Sequence, residues 1–264
     1  MGKAKLEQAF NRVLERGDKA FVPYIMAGDG GLGQLEEQLA FLEEAGATVV
    51  ELGIAFSDPV ADGPTIQEAG LRALENGVSL HAVLEKLQET KETRQIPIVL
   101  MTYINPIHTY GMERFAKACE EAGVDGLIIP DLPLEEEGMI VPTLQDHEIA
   151  LIRLAALTST EERLTEIAKR TEGFLYAVTV TGTTGARASF KESLGEHLAS
   201  LRAKSNAPVL AGFGVSTPGH VRLLTEFCDG VVVGSKIVDS LHRGDRSCIE
   251  ELIKSAQITS QQIK

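Results

Sequence analysis

The chain has 264 residues, 44% of them apolar, and its 38 acidic against 25 basic side chains give a formal net charge of −13. That length suits one large α/β domain with a full core, here 1–264 as a single unit. So acidic a surface repels phosphate backbones and anionic headgroups, which argues against nucleic acid and membrane partners but leaves room for a small anion held by backbone N–H groups.

In chain order, "KLEQAFNRVLERG" (5–17) has the apolar spacing of a helix. It precedes a first short apolar run, "AFVPYIMAG" (20–28). "LGQLEEQLAFLEEAG" (32–46) predicts a helix closed by Gly46, and "TVVELGI" (48–54) predicts the second strand. "TIQEAGLRALENG" (65–77) reads as a helix inserted after that strand. Strand patterns recur at 96–103, 124–131, 149–156, 173–180, 207–214 and 229–235. Helical patterns at 111–123, 159–170, 192–204, 218–227 and 248–257 separate or follow them. The eight strand runs are nearly continuous in apolar residues rather than alternating, as expected when both faces of a parallel sheet are covered.

Eight strands alternating with helices, without a linker-like stretch, predict a single (β/α)8 TIM barrel with an extra N-terminal helix and extra short helices after strands 2 and 8. An open doubly wound sheet is the alternative. The first βα turn, "AGDGGLGQ", lacks the G-x-G-x-x-G of the dinucleotide-binding version. No stretch has membrane-spanning length, and "MGKAKLEQAF" has no apolar signal core. Cys119, Cys228 and Cys248 form no CxxC, which fits a reducing, cytoplasmic setting. The six histidines show no metal-binding spacing, so no metal is expected.

In such a barrel the chemistry sits at the C-terminal strand ends. The polar residues there are Asp29, then Glu51 with Asp58 and Asp62, then Tyr103, Asn105, Asp131, Tyr176 and Thr179. Glu51 ends an apolar run. A buried carboxyl there has its pKa raised and can both give and take a proton near neutrality. A structural glutamate paired with a buried cation is the competing reading. Asp62 precedes Gly63-Pro64 at a helix start, where capping competes with catalysis. Asp58 suits a turn or partner contact, and Asp131 a structural role. After strands 7 and 8, "GFGVST" and "VGSKIV" place glycines and hydroxyls where free N–H groups and a helix dipole meet an anion. The long loop 180–190, "VTGTTGARASF", suits a lid.

The segment "ELGIAFSDPVADGPTIQ" (51–67), with Asn105-Pro106, "DGLIIPDLP" (125–133), "VTGTTGAR" (180–187) and "GFGVS" (212–216), resembles the alpha subunits of tryptophan synthase over essentially the whole chain. The resemblance implies a barrel that cleaves indole-3-glycerol phosphate to indole and glyceraldehyde 3-phosphate. It implies no cofactor in this chain and a pyridoxal-phosphate beta subunit as partner, in an alpha2beta2 heterotetramer. Glu51 and Asp62 match the family's catalytic carboxylates. Phe21, Tyr176 and Thr184 match substrate-pocket positions, and Gly185, Gly214, Gly234 and Ser235 match phosphate-binding positions. Asp58, Pro59, Asn105 and Pro106 match the side that meets the beta subunit. The chain departs at Ala55, Gly30 and Leu157, each where the family commonly has proline. Less proline leaves the loop after strand 2 more conformational freedom to lose on ordering.

Two other functions fit the same residues. Lys236, at the end of strand 8, could form a Schiff base if desolvated. Alternatively, the barrel could be a non-catalytic regulatory subunit, against which the intact Glu51 and Asp62 argue.

Overall fold

The structure, a computed structural model, describes residues 2–178, 187–212 and 214–257, with backbone alone for 187–193. Its strands are β1 (Ala20–Met26), β2 (Val50–Gly53), β3 (Ile98–Met101), β4 (Gly126–Ile128), β5 (Ala150–Leu151), β6 (Arg153–Ala156), β7 (Leu175–Val178), β8 (Val209–Gly212) and β9 (Gly230–Val233). Every pairing is parallel, and the order is β5-β4-β3-β2-β1-β9-β8-β7-β6. The terminal members, β5 and β6, are the two halves of the fifth expected strand, parted only at Ile152. Ile152 itself donates to the Leu127 carbonyl at 2.9 Å, continuing the ladder to β4. The sheet thus closes through one run of chain into the expected eight-staved barrel.

The helices are α1 (Gly2–Glu15), α2 (Leu35–Glu44), α3 (Pro64–Glu75), α4 (Leu80–Glu89), α5 (Ile104–Tyr110), α6 (Met112–Ala122), α7 (Val141–Asp146), α8 (Glu161–Arg170), α9 (Arg187–Lys204), α10 (Pro218–Thr225), α11 (Ser235–His242) and α12 (Arg246–Lys254). The expected additions are present, α1 before the barrel, α3 after β2 and α11 after β9. α4, which the sequence reading leaves unassigned, is the helix that packs on α6 in the outer ring. Ser79 caps it by accepting from the Ala82 N–H at 3.2 Å, and it buries Val83, Leu84 and Leu87. α3 is therefore the true insertion, and it is free to sit at the barrel mouth. α5 and α7 are further short helices that the apolar pattern did not reveal.

Two apolar layers follow from strand alternation. Val22, Val49, Val99, Ile128, Ile152, Leu210 and Val232 fill the barrel interior, and α1 contributes Leu6 and Phe10 beneath them. Phe10 packs on Phe174 (centroids 5.5 Å apart), and Phe174 packs on Tyr176 (6.1 Å). This aromatic column runs from the floor of the barrel to its mouth. The larger layer lies between the staves and the helix ring. No helix among the described residues is long and apolar enough to cross a membrane.

Candidate active site

A cavity of about 300 Å³ opens at the C-terminal ends of the strands. Glu51, the second residue of β2, lies at its base with 1% of its surface exposed. One carboxylate oxygen, Oε2, has no hydrogen-bond partner among the described residues. Burial raises its pKa to about 8, the charge of Asp62 adds to the rise, and no cation opposes it. The competing picture, a glutamate neutralised by a buried lysine or arginine, does not describe this side chain. At neutral pH Glu51 is predominantly the acid.

Asp62 lines the same cavity from the loop that joins β2 to α3. It is half-buried, and burial lifts its pKa to about 6 while a hydrogen bond from the Tyr103 hydroxyl pulls it back down. Asp62 is therefore predominantly ionised at neutrality, the opposite state to Glu51. It does not cap α3. Gly63 occupies that position, and no side chain bonds there. The loop is held instead through its backbone. The Ala61 N–H donates to the Tyr103 hydroxyl at 3.0 Å, and Gln67 Nε2 donates to the Asp62 carbonyl at 2.8 Å. Tyr103 is kept in place by its ring contact with Phe56, 5.4 Å between centroids.

Three of the chain's four tyrosines gather around the two acids. Tyr24 and Tyr176 line the cavity from β1 and β7. Each needs a glycine beside it. A Cβ at Gly53 would lie 1.9 Å from the Tyr24 hydroxyl oxygen, and a Cβ at Gly212 would lie 2.3 Å from the Tyr176 ring. Both phenols are held well above their ordinary pKa by burial, to which negative charge at Asp62 adds for Tyr24 and negative charge at Glu51 for both, so they remain protonated.

The opposite wall holds Gly214, Ser216, Gly234 and Ser235. Gly234 precedes α11 without a side-chain cap, so the first N–H groups of that helix are left for another acceptor. Thr217 rather than Ser216 caps α10, accepting from the His220 N–H at 3.2 Å. Ser216 lines the cavity with its hydroxyl 3.4 Å from His220 Nδ1.

Several expectations need correction or relocation. Phe21 does not line the cavity. It is 1% exposed and packs in the layer between barrel and helices, because successive residues of β1 face opposite sides. Tyr24, three residues on, takes the pocket position. Asp29 is bound to Arg72 of α3 by two bonds of 2.7 and 2.8 Å, which anchors the helix that follows Asp62. Asp131 accepts from the Ile104 N–H at 2.9 Å and so fixes the start of α5. Asp58 and Asn105 are exposed and Pro59 and Pro106 half-buried, all on the mouth side, with Val60 83% exposed between Pro59 and Ala61. Thr179, Thr184 and Gly185 lie outside the described residues, as does the proposed lid up to 186, while 187–190, expected as loop, already belong to α9. Among the described residues no group of histidine, cysteine or carboxylate side chains could hold a metal.

Sequence reasoning placed Tyr103 at the mouth without giving it a role, and missed Tyr24. The hydroxyl of Tyr103 matters through a loop 42 positions away, a contact that no local pattern encodes.

The tryptophan synthase alpha chain family model matches residues 10–264. The tryptophan synthase alpha chain of Oceanobacillus iheyensis is 57% identical over 256 residues, spanning 97% of this chain and 98% of the relative. That of Bacillus cereus strain G9842 is 53% identical over 253 residues, 96% of each chain. Among solved structures, the tryptophan synthase alpha subunit of Legionella pneumophila superimposes with a TM-score of 0.87 at 31% identity, covering 96% of this chain and 98% of its own. With that site, that barrel and those relatives, the chain belongs to the tryptophan synthase alpha chain family.

Proposed function

We propose that Glu51 and Asp62 divide the labour of the family's alpha reaction, the carbon–carbon cleavage of indole-3-glycerol phosphate to indole and glyceraldehyde 3-phosphate. The observation that carries this reading is one cavity lined by both carboxyl groups, Glu51 fully buried and Asp62 half-buried, and burial pushes the first up to about 8 and the second to about 6. Two carboxyl groups whose surroundings push them apart have separate roles.

A bare carbanion at indole C3 is a poor leaving group, so C3 must be protonated before the bond breaks. Glu51 delivers its proton to C3 and becomes a carboxylate. The indole ring nitrogen then carries positive charge, and Asp62 accepts a hydrogen bond from its N–H and stabilises that charge. Glu51 next takes the proton of the hydroxyl on the adjacent glycerol carbon. As the new carbonyl forms, the C3–carbon bond breaks and its electron pair neutralises the ring nitrogen. Indole and the aldehyde leave, and Glu51 is again protonated. The water-poor base of the cavity strengthens each of these interactions. The phosphate tail rests on backbone N–H groups at Gly214, Gly234 and Ser235, and the family resemblance adds Gly185 to that seat and Thr184 to the substrate pocket.

Family members work with a beta subunit. In the finer reading the assembly is an alpha2beta2 heterotetramer, the beta subunit carries pyridoxal phosphate, and the chain acts in the cytoplasm. Asp58, Pro59, Asn105 and Pro106 face that partner, and exposed Val60 supplies an apolar contact beside them.

The test is indole release from indole-3-glycerol phosphate by the chain with and without beta subunit. Glu51→Gln and Asp62→Asn should each abolish most of it. If release survived both substitutions, the two-carboxylate scheme would be wrong. If the unsubstituted chain released no indole in either setting yet stimulated the beta subunit, the regulatory function would replace it.

A further inference from the structure

Lys236 is the one lysine or arginine among the described residues that line the cavity. It is the second residue of α11, adjacent to Ser235 and two residues from Gly234. It is half-buried, and it makes no ion pair or hydrogen bond with any described residue. It lies within electrostatic reach of Asp245, whose pKa it helps to lower. That carboxylate is already committed, accepting from the Cys248 N–H at 3.1 Å as the cap of α12 and from the Ser247 hydroxyl at 2.9 Å. A long, positively charged side chain thus stands, unpaired among the described residues, at the rim of a cavity whose other end holds two carboxyl groups.

A phosphate monoester brings close to two negative charges at neutral pH. Here it must approach a chain of net charge −13 and settle in the same cavity as ionised Asp62. Backbone N–H groups and a helix dipole supply only partial positive charge. An ammonium on a flexible stem, rooted in the first turn of the same helix, supplies a full one.

We propose that Lys236 is the cationic arm of the phosphate seat, a binding residue that closes on the ester dianion of the substrate and takes no covalent part in the reaction. This rests on the phosphate seat described above. It also turns the Schiff-base alternative into a distinguishable outcome, because a binding lysine moves KM and a covalent one moves kcat.

The experiment uses the full chain with its beta subunit, and glycerol 3-phosphate as a competitive probe that lacks the indole. Lys236→Met should raise KM for indole-3-glycerol phosphate and Ki for glycerol 3-phosphate together by about tenfold, the scale of one charge-assisted hydrogen bond. The value of kcat should stay within about twofold. Lys236→Arg should restore most of the affinity, since charge and reach are kept. Raising the salt concentration should weaken the probe on the unsubstituted chain and act less on the Met variant. An unchanged Ki in the Met variant would overturn the proposal, because the amides alone would then hold the phosphate. A collapse of kcat at unchanged KM, or a borohydride-trapped adduct on Lys236, would overturn it in favour of covalent chemistry. Failure of the parent reading looks different. In that case Glu51→Gln would retain indole release, whatever the Lys236 variants showed.

Discussion

Buried carboxyl groups stand at both ends of this barrel, and their treatment differs. At the bottom, Asp125 is 3% exposed, accepts the Ile98 N–H at 2.9 Å, and faces Lys5 at 3.9 Å. Asp229 repeats the device 104 positions later, accepting the Val209 N–H at 2.9 Å and pairing with Arg202 at 2.8 Å. Each precedes a glycine that begins a strand, and each closes the lower edge of the neighbouring strand. At the top, Glu51 is more deeply buried and has an oxygen with no hydrogen-bond partner among the described residues. The bottom carboxylates complete the fold's hydrogen bonding. The top one is left incomplete and lines the cavity. Burial and a raised pKa do not by themselves mark the site, because Asp125 is also raised, to about 6, by burial that Lys5, the Ile98 N–H and Arg94 only partly offset.

The comparison is tested most sharply by removing one carboxyl from each end. Glu51→Gln keeps the shape and loses the proton, so kcat for indole release should fall by about 10³-fold or more, at the upper end of what one acid–base group contributes. Its effect on stability should run the other way. In the folded chain Glu51 keeps its proton to about pH 8, against an ordinary 4.5. The folded state therefore binds more protons than the unfolded state across that window, and stability falls as pH rises through it. The Gln variant escapes this loss. It should gain on the unsubstituted chain by about 1.4 kcal/mol per pH unit across the window, read from urea midpoints at a series of pH values. A Gln variant less stable at pH 8 would show that Glu51 is part of the scaffold.

Asp125→Ala should give the converse. It strands the Ile98 N–H and leaves Lys5 and Arg94 without their counter-charge, at a cost of about 2–4 kcal/mol, with kcat and KM of the folded fraction unchanged. Equal damage to turnover would erase the distinction between the two ends.

The same asymmetry explains what the sequence could tell. The eight apolar runs, the closing glycines of α2 and α6 and the acid after "ATVV" were readable because they are local. Which face of a strand looks inward was not. In β1 every residue is buried, so apolar pattern cannot separate Phe21, against the helices, from Tyr24, in the cavity. The fifth strand reads as one run, "IALIRLAA", and its division at Ile152 depends on neighbours on both sides. α4 went unassigned because 65–77 already supplied the helix that the alternation required. The roles of Tyr103 and of the Asp29–Arg72 pair come from contacts over 40 residues apart, which no window of sequence holds.

A second measurement sharpens the view from the top of the barrel alone. In the proposed scheme turnover needs Glu51 protonated and Asp62 ionised at once. The pH profile of kcat/KM should therefore be a bell with limbs near the two values, about 6 and about 8. Glu51→Gln should remove the alkaline limb from whatever activity remains. A profile flat from pH 6 to 8 and falling only outside it would agree. One that rises steadily through pH 8 would make Glu51 a base from the start and reverse the order of proton transfers.

The smallest expected effect falls on the group that joins the two acids' surroundings. Tyr103 does two things with one hydroxyl. It accepts the Ala61 N–H, which fixes the loop, and it donates to Asp62, which favours the ionised form. Tyr103→Phe keeps the ring against Phe56 and loses both bonds. A neutral hydrogen bond is worth about 0.5–1.5 kcal/mol, so turnover should drop only about three- to tenfold. The informative readout is the acid limb. Without its donor Asp62 should titrate higher, and the limb should move up from about 6 toward neutrality while the alkaline limb of Glu51 stays in place. If turnover drops and neither limb moves, Tyr103 acts on the loop backbone alone. Asp62 would then owe its ionisation to the open side of the cavity rather than to a tyrosine from the neighbouring strand.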